Sequence, residues 1–178
     1  MPRYFAFLRA LNVGGNNVVK MEALRGHFED LGFRAVETFI ASGNLIFEGK
    51  SAKAADLERR IERRLESVLG YPVATFLRTE SELVSIHAHQ PFGPAVVHNI
   101  GFLAAPLTAQ AETALMALAT PTDEFHVHGR EVYWLCRVRQ SESKVTNARI
   151  ERAIQAKVSF RGAGTVARLA AKYLRPAD

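Results

Sequence analysis

Tyr4 to Leu11 is an apolar run rich in aromatics, the pattern of a strand whose two faces are both covered. Beyond a Gly-Gly loop, Met21, Leu24, Phe28 and Leu31 recur at spacings of three and four and draw one helix face, which Gly32 ends. Two further strand-like runs, Val36 to Ala41 and Leu45 to Glu48, flank Ser42-Gly43-Asn44, a short turn with a residue suited to positive φ. Leu57, Ile61, Leu65 and Val68 return to helical spacing as far as Gly70, and Val73 to Leu77 predicts another strand. The order β, α, β, β, α, β is that of a split βαβ unit.

The rest of the chain repeats the order. Thr79-Glu80-Ser81-Glu82 is a capping box opening a helix that breaks near Pro91-Phe92-Gly93-Pro94. His98 to Ala104 predicts a strand, Gln110 to Leu118 a helix, Glu124 to His128 and Glu131 to Arg137 a hairpin across Gly129-Arg130, and Lys144 to Ala156 a helix. Val158 to Phe160 is the last strand, and Thr165 to Leu174 a final helix with Val166, Leu169, Tyr173 and Leu174 as its inner stripe. The expected fold is α+β: two ferredoxin-like halves, each of βαββαβ type, packed together, with an extra C-terminal helix. The expected division is 1–78 for the N-terminal half, 79–97 for the connecting helix and Pro/Gly linker, and 98–178 for the C-terminal half with its final helix.

Composition narrows the class without naming a function. A chain of 178 residues with 48% apolar content can build a core and is not disordered. No apolar run reaches the roughly 18 residues of a membrane helix, and Met1-Pro2-Arg3-Tyr4 lacks the order of a secretory signal, so a cytoplasmic protein without membrane contact is expected. The single cysteine, Cys136, excludes a disulfide framework and reads as a buried inert thiol. A net charge of +5 favours polyanions. The most basic stretch, Leu57 to Glu66, interleaves its arginines with glutamates at i,i+4 spacing and reads as a solvated, salt-bridged helix face.

In a βαββαβ unit the loop after the first strand, the turn between the second and third, and the approach to the fourth share one end. Arg9, Asn12, Gly14, Gly15, Asn16, Asn17, Lys20, Ser42, Gly43 and Asn44 therefore fall in one candidate anion-binding cluster. Glycines let backbone approach a ligand, amides at a helix N-terminus favour phosphate or carboxylate, and Arg9 and Lys20 add charge. The competing reading is structural: the glycines satisfy turn dihedrals and the asparagines cap a helix. Arg161 and Thr165 flank the final helix start and mark a second, weaker anion site.

The same residues carry a resemblance. Phe7-Leu8-Arg9-Ala10-Leu11-Asn12-Val13-Gly14-Gly15-Asn16-Asn17 through Lys20-Met21, Ala41-Ser42-Gly43-Asn44, and Lys144-Val145-Thr146-Asn147 with Ile150 and Glu151 resemble the motifs of a bacterial family catalogued as domain of unknown function 1697. The resemblance spans the chain and implies the fold and the place of interest, but no chemistry. Where members often read like Arg-Asn-Trp-Asn-Thr, this chain has Arg161-Gly162-Ala163-Gly164-Thr165, losing an indole and two amides.

Gly162 to Ala167 scans as G-x-G-x-x-A, but no room remains for the second strand of a dinucleotide-binding unit. The sequence has no phosphate loop, nucleophile elbow, C-x-x-C pair or H-E-x-x-H helix, and no cofactor is indicated. His126 and His128 share a strand face without a third ligand near them in sequence, and His87 and His89 do not share a face, so no metal site is expected. Phe5, Phe7 and Phe47 stand where ferredoxin-like sheets stack RNA bases, but core packing is the better reading. Two functions remain open. One is a non-enzymatic module binding nucleic acid or another polyanion, with salt-sensitive affinity. The other is an enzyme or sensor of a small phosphorylated or carboxylated metabolite held between the Gly-Gly loop and the Ser-Gly-Asn turn. Self-association through a free sheet edge is a third reading, and the oligomeric state is left open.

Overall fold

A computed structural model describes residues 1–9, 11, 18–40, 43–94 and 96–174. The chain is α+β, with two four-stranded antiparallel sheets. It divides into two compact units, 1–84 and 85–178.

In the N-terminal unit, β1 (Arg3–Leu8), α1 (Met21–Asp30), β2 (Arg34–Thr38), β3 (Asn44–Glu48), α2 (Ala54–Leu69) and β4 (Thr75–Thr79) follow the expected order. The sheet order is β2-β3-β1-β4, so β1 is flanked on both sides and β4 is an edge. Tyr4, Ala6 and Leu8 of β1 join Leu24 and Phe28 of α1 and Leu57, Ile61 and Leu65 of α2 in one core. Phe5 and Phe7 on the opposite face of β1 are buried as well. The ring of Phe47 packs at 4.3 Å from Phe33 and 5.5 Å from Tyr4, on the helix side of the sheet.

Helix α2 differs from its sequence reading in one informative way. Two of its glutamates turn to the neighbouring strand β4. Glu62 accepts from Thr75 N and Glu58 from Leu77 N, each at 2.9 Å, and Glu82 accepts from Thr79 N at 2.8 Å. Three alternate amides of the edge strand are thus closed by carboxylates. A buried amide without a partner costs more than an exposed ion pair returns, which is why the strand wins. The arginines turn to other acceptors. Arg60 donates to Leu31 O at 2.9 Å and lies over the Phe33 ring, Arg64 pairs with Asp30, and Arg59 pairs with Asp56. These three amides are thereby taken up and are not offered to a neighbouring strand.

Helix α3 (Glu80–Ala88) opens with the expected capping box. Glu82 N donates to Thr79 Oγ1 at 3.3 Å while the Glu82 carboxylate receives Thr79 N.

The C-terminal unit holds β5 (Asn99–Phe102), α4 (Ala109–Met116), β6 (Asp123–His128), β7 (Glu131–Cys136), a short 3-10 turn (Gln140–Glu142), α5 (Asn147–Ile154), β8 (Ser159–Gly162) and α6 (Ala163–Tyr173). Its sheet order, β6-β7-β5-β8, repeats that of the first. Helix α5 starts three residues later than its periodicity suggests because Thr146 caps it, accepting from Arg149 N at 3.2 Å. Helix α6 starts two residues early, at Ala163 behind Gly162, and buries Val166, Leu169, Ala170 and Tyr173. Beneath the sheet, Trp134 packs between Phe125 and Phe160. Among the described residues, no helix is long and apolar enough to cross a membrane.

Candidate functional site

Three segments meet at one end of the first sheet. Leu8 N donates to Gly43 O and Arg9 N to Ala74 O, both at 2.9 Å, tying the end of β1 to the β2–β3 turn and to the residue before β4. Gly43 has φ +76°, and a β-carbon there would lie 3.2 Å from Leu8 Cβ, so glycine serves both the dihedral and the close approach. Asn44 is 1% exposed. Its side-chain Nδ2 donates to Phe39 O at 3.0 Å, and its backbone carbonyl accepts from Phe39 N at 3.0 Å, so main chain and side chain together hold the turn. Ile40 beside the turn is 44% exposed and has φ +59°, a conformation costly for a β-branched residue.

Arg9 is half-buried at the end of β1, and Lys20 is exposed at the N-cap position of α1, whose first turn has no side-chain cap. Asn12, Gly14, Gly15, Asn16, Asn17 and Ser42 lie outside the described residues. Arg161 and Thr165 belong to the other unit, one in β8 and one in the first turn of α6. Arg161 donates to Ser159 Oγ at 2.9 Å and to Phe160 O at 2.8 Å. Burial lowers its guanidinium to about 10, so it stays a cation at neutral pH. Phe5, Phe7 and Phe47 are all at most 1% exposed, which leaves no aromatic stacking platform among them.

Histidine placement departs from the sequence reading. His89, just past α3, reaches the strand pair: its ring stacks on His128 at 4.1 Å, and its Nε2 lies 3.1 Å from His126 Nε2. Nothing in the spacing from residue 89 to 126 announces this, since it depends on how the chain returns after the Pro91 to Pro94 break. Among the described residues no group of three His, Cys, Asp or Glu is arranged to hold a metal ion. Burial, then the neighbouring His128 and His126, hold His89 below the ordinary imidazole value of 6.5. With the folded value depressed, the unfolded chain takes up its proton first as pH falls. The C-terminal unit is therefore expected to lose stability below about pH 6.5. Thermal melts of wild type and His89→Phe at about pH 7.5 and 5.5 check this: the variant should lose less on acidification, and an equal loss would remove His89 from the cause.

Cys136 is half-buried. Burial raises its thiol, which donates to Val138 O at 3.1 Å, an inert arrangement rather than a nucleophile.

With this geometry in view, residues 1–133 match the profile of a family described as "Protein of unknown function (DUF1697)". The chain belongs to that family. The matched span contains the Gly-Gly loop and the Ser-Gly-Asn turn, whereas Lys144 to Asn147 and Arg161 to Thr165 lie beyond it. For this DUF1697 chain, no curated protein matches in sequence. Among solved structures it is similar to a conserved bacterial protein, SP0830 from Streptococcus pneumoniae. That match has a TM-score of 0.75 and 22% identity, over 96% of this chain and 97% of that one. Identity at that level speaks for the fold alone.

Proposed function

We propose that the protein is a non-enzymatic module that binds nucleic acid or another polyanion at the β1–α1 end of its N-terminal unit. The observation carrying this reading is the pair of backbone hydrogen bonds from Leu8 and Arg9, which gather three segments beside a cation. The uncapped N-terminus of α1, with Lys20 at its cap position, adds amides and charge that favour phosphate. The net charge of +5 acts in the same direction at longer range. The strained, exposed Ile40 favours a second reading, a shaped site for a small phosphorylated or carboxylated metabolite.

Titrations of short single- and double-stranded oligonucleotides across a salt series separate the two. For the polyanion module, log affinity falls linearly with log salt, and Arg9→Ala and Lys20→Ala each weaken binding and reduce the slope by about 1. Slopes unaffected by both substitutions would overturn the assignment to this end. Saturable one-to-one stabilisation by a nucleotide or sugar phosphate, lost in Arg9→Ala, would instead establish the metabolite reading.

A further inference from the structure

The C-terminal unit has a half-open cavity of about 300 Å³ between the start of α6, the end of α3 and the segment leading into β5. Most of its wall is apolar, with Ile86, Val96, Ile100 and Val166 among the lining residues. Its polar side chains are His87, His89, Gln90 and His98, and among the described lining residues there is no Asp, Glu, Lys or Arg.

Two hydrogen-bonding needs meet at this wall. Ala163 N donates to His98 O at 2.9 Å, which places the first turn of α6 against the start of β5. No side chain caps that turn, because Gly162 stands at the cap position, and Gly164 of the same turn lines the cavity. Its amide has no acceptor within the helix. His98 also lines the cavity and is only 7% exposed. Its Nδ1 lies 2.8 Å from Val96 O, and since a carbonyl only accepts, Nδ1 carries the ring proton. Nε2 is then an acceptor, and it is buried without a hydrogen-bond partner. The rings of Phe92 and Tyr133, at 5.4 and 6.0 Å, are its aromatic neighbours.

We propose that this cavity binds a small carboxylate with a short apolar body, its carboxyl group bridging the first turn of α6 and His98 Nε2. One carboxyl oxygen accepts from the Gly164 amide, where the helix dipole favours negative charge. The other oxygen shares a single proton with Nε2. Where His98 starts neutral, binding an anion therefore takes up one proton, and no bond is made or broken otherwise. A phosphate would bring a second charge to a wall without lysine or arginine. A carboxamide would match the donor and acceptor pattern but forgo the charge that the helix end favours. The apolar body replaces water against the aliphatic wall.

The test uses the full chain, labelled with 15N, titrated with hexanoate and with hexanol, hexanamide and hexyl phosphate as matched heads on one tail. Hexanoate is expected to shift the Ala163 and Gly164 amides saturably and to bind about tenfold or more tighter than hexanol. Calorimetry in buffers of different ionisation enthalpy should show proton uptake in wild type and none in His98→Gln, which leaves His87 and His89 in place on the same wall. Ala163→Trp, which fills the cavity from the helix side, should abolish hexanoate binding and keeps the proposal testable if His98→Gln does not fold. The proposal is overturned if no probe shifts these amides saturably, if hexanol matches hexanoate, if hexanamide or hexyl phosphate binds tighter, or if Ala163→Trp binds hexanoate unchanged. Arg9→Ala is expected to leave this site as it is, which separates it from the proposed N-terminal site.

Discussion

Asp123→Ala is expected to lower the unfolding free energy of the C-terminal unit by about 2–4 kcal/mol. Asp123 is 1% exposed and accepts four side-chain hydrogen bonds, from Thr120 at 2.7 Å, Thr122 at 3.0 Å, Trp134 Nε1 at 2.9 Å and Ser143 at 2.8 Å. The three hydroxyls belong to half-buried residues and can turn toward water. The Trp134 indole cannot, because it is 2% exposed, and its N–H would be left without an acceptor inside the core. Ser143 Oγ also receives Val145 N at 3.0 Å, so the carboxylate anchors the connection from β7 into α5 as well. Asp123→Asn keeps an acceptor for the indole and should cost about half as much. Burial alone would raise this carboxyl, but the hydrogen bonds from Thr120, Trp134, Ser143 and Thr122 outweigh it and hold it below the ordinary 3.8. The associated stability is complete above that ordinary value and is lost as pH falls through the lower folded one. Trp134 is the only tryptophan, so urea unfolding followed by its fluorescence reports on this unit. An unchanged midpoint in Asp123→Ala would mean that the network contributes nothing net.

Gly101→Ala should be comparably damaging, by about 2–3 kcal/mol. Strand β5 is central in its sheet, and Gly101 faces Phe160 across the β5–β8 ladder. A β-carbon there would lie 2.6 Å from Phe160 Cε1 and 2.7 Å from Val158 Cγ2. The ring covers the glycine and is itself confined, 5.5 Å from Trp134 in an edge-to-face contact. Relief needs either a shifted ring or a displaced strand. The double variant Gly101→Ala with Phe160→Leu gives the ring's space back and should recover part of the loss. If the single variant melts like wild type, the ring moves more freely than this packing implies.

These residues also show where the sequence was legible and where it was not. Strand and helix order followed from period, since a buried face must repeat every two or every three to four residues, and the Thr79–Glu82 box could be read because its partners are three residues apart. Gly43 was readable as a turn glycine for the same local reason. Gly101 was not, because its need for glycine comes from Phe160 across a ladder that only the fold brings together. The α2 glutamates misled for a related cause: local spacing offers arginines, while the outward-facing amides of β4 become visible only once the sheet order is known. His89 meets His126 and His128 through tertiary placement alone. The clustering of Arg9, Gly43 and the approach to β4 could be read from topology, whereas the α6 cavity depends on an orphaned ring nitrogen that no sequence pattern marks.

The carboxylates that close β4 also bear on how the chain survives its own synthesis. Glu58 and Glu62 precede Leu77 and Thr75 in the chain by 19 and 13 residues. These two acceptors therefore exist before the amides they seal, and only a short loop has to close for them to meet. A nascent or partly refolded chain can protect this strand by local contacts alone, ahead of the long-range pairing of β1 with β4. The interval in which a neighbouring chain could template on that edge is correspondingly short.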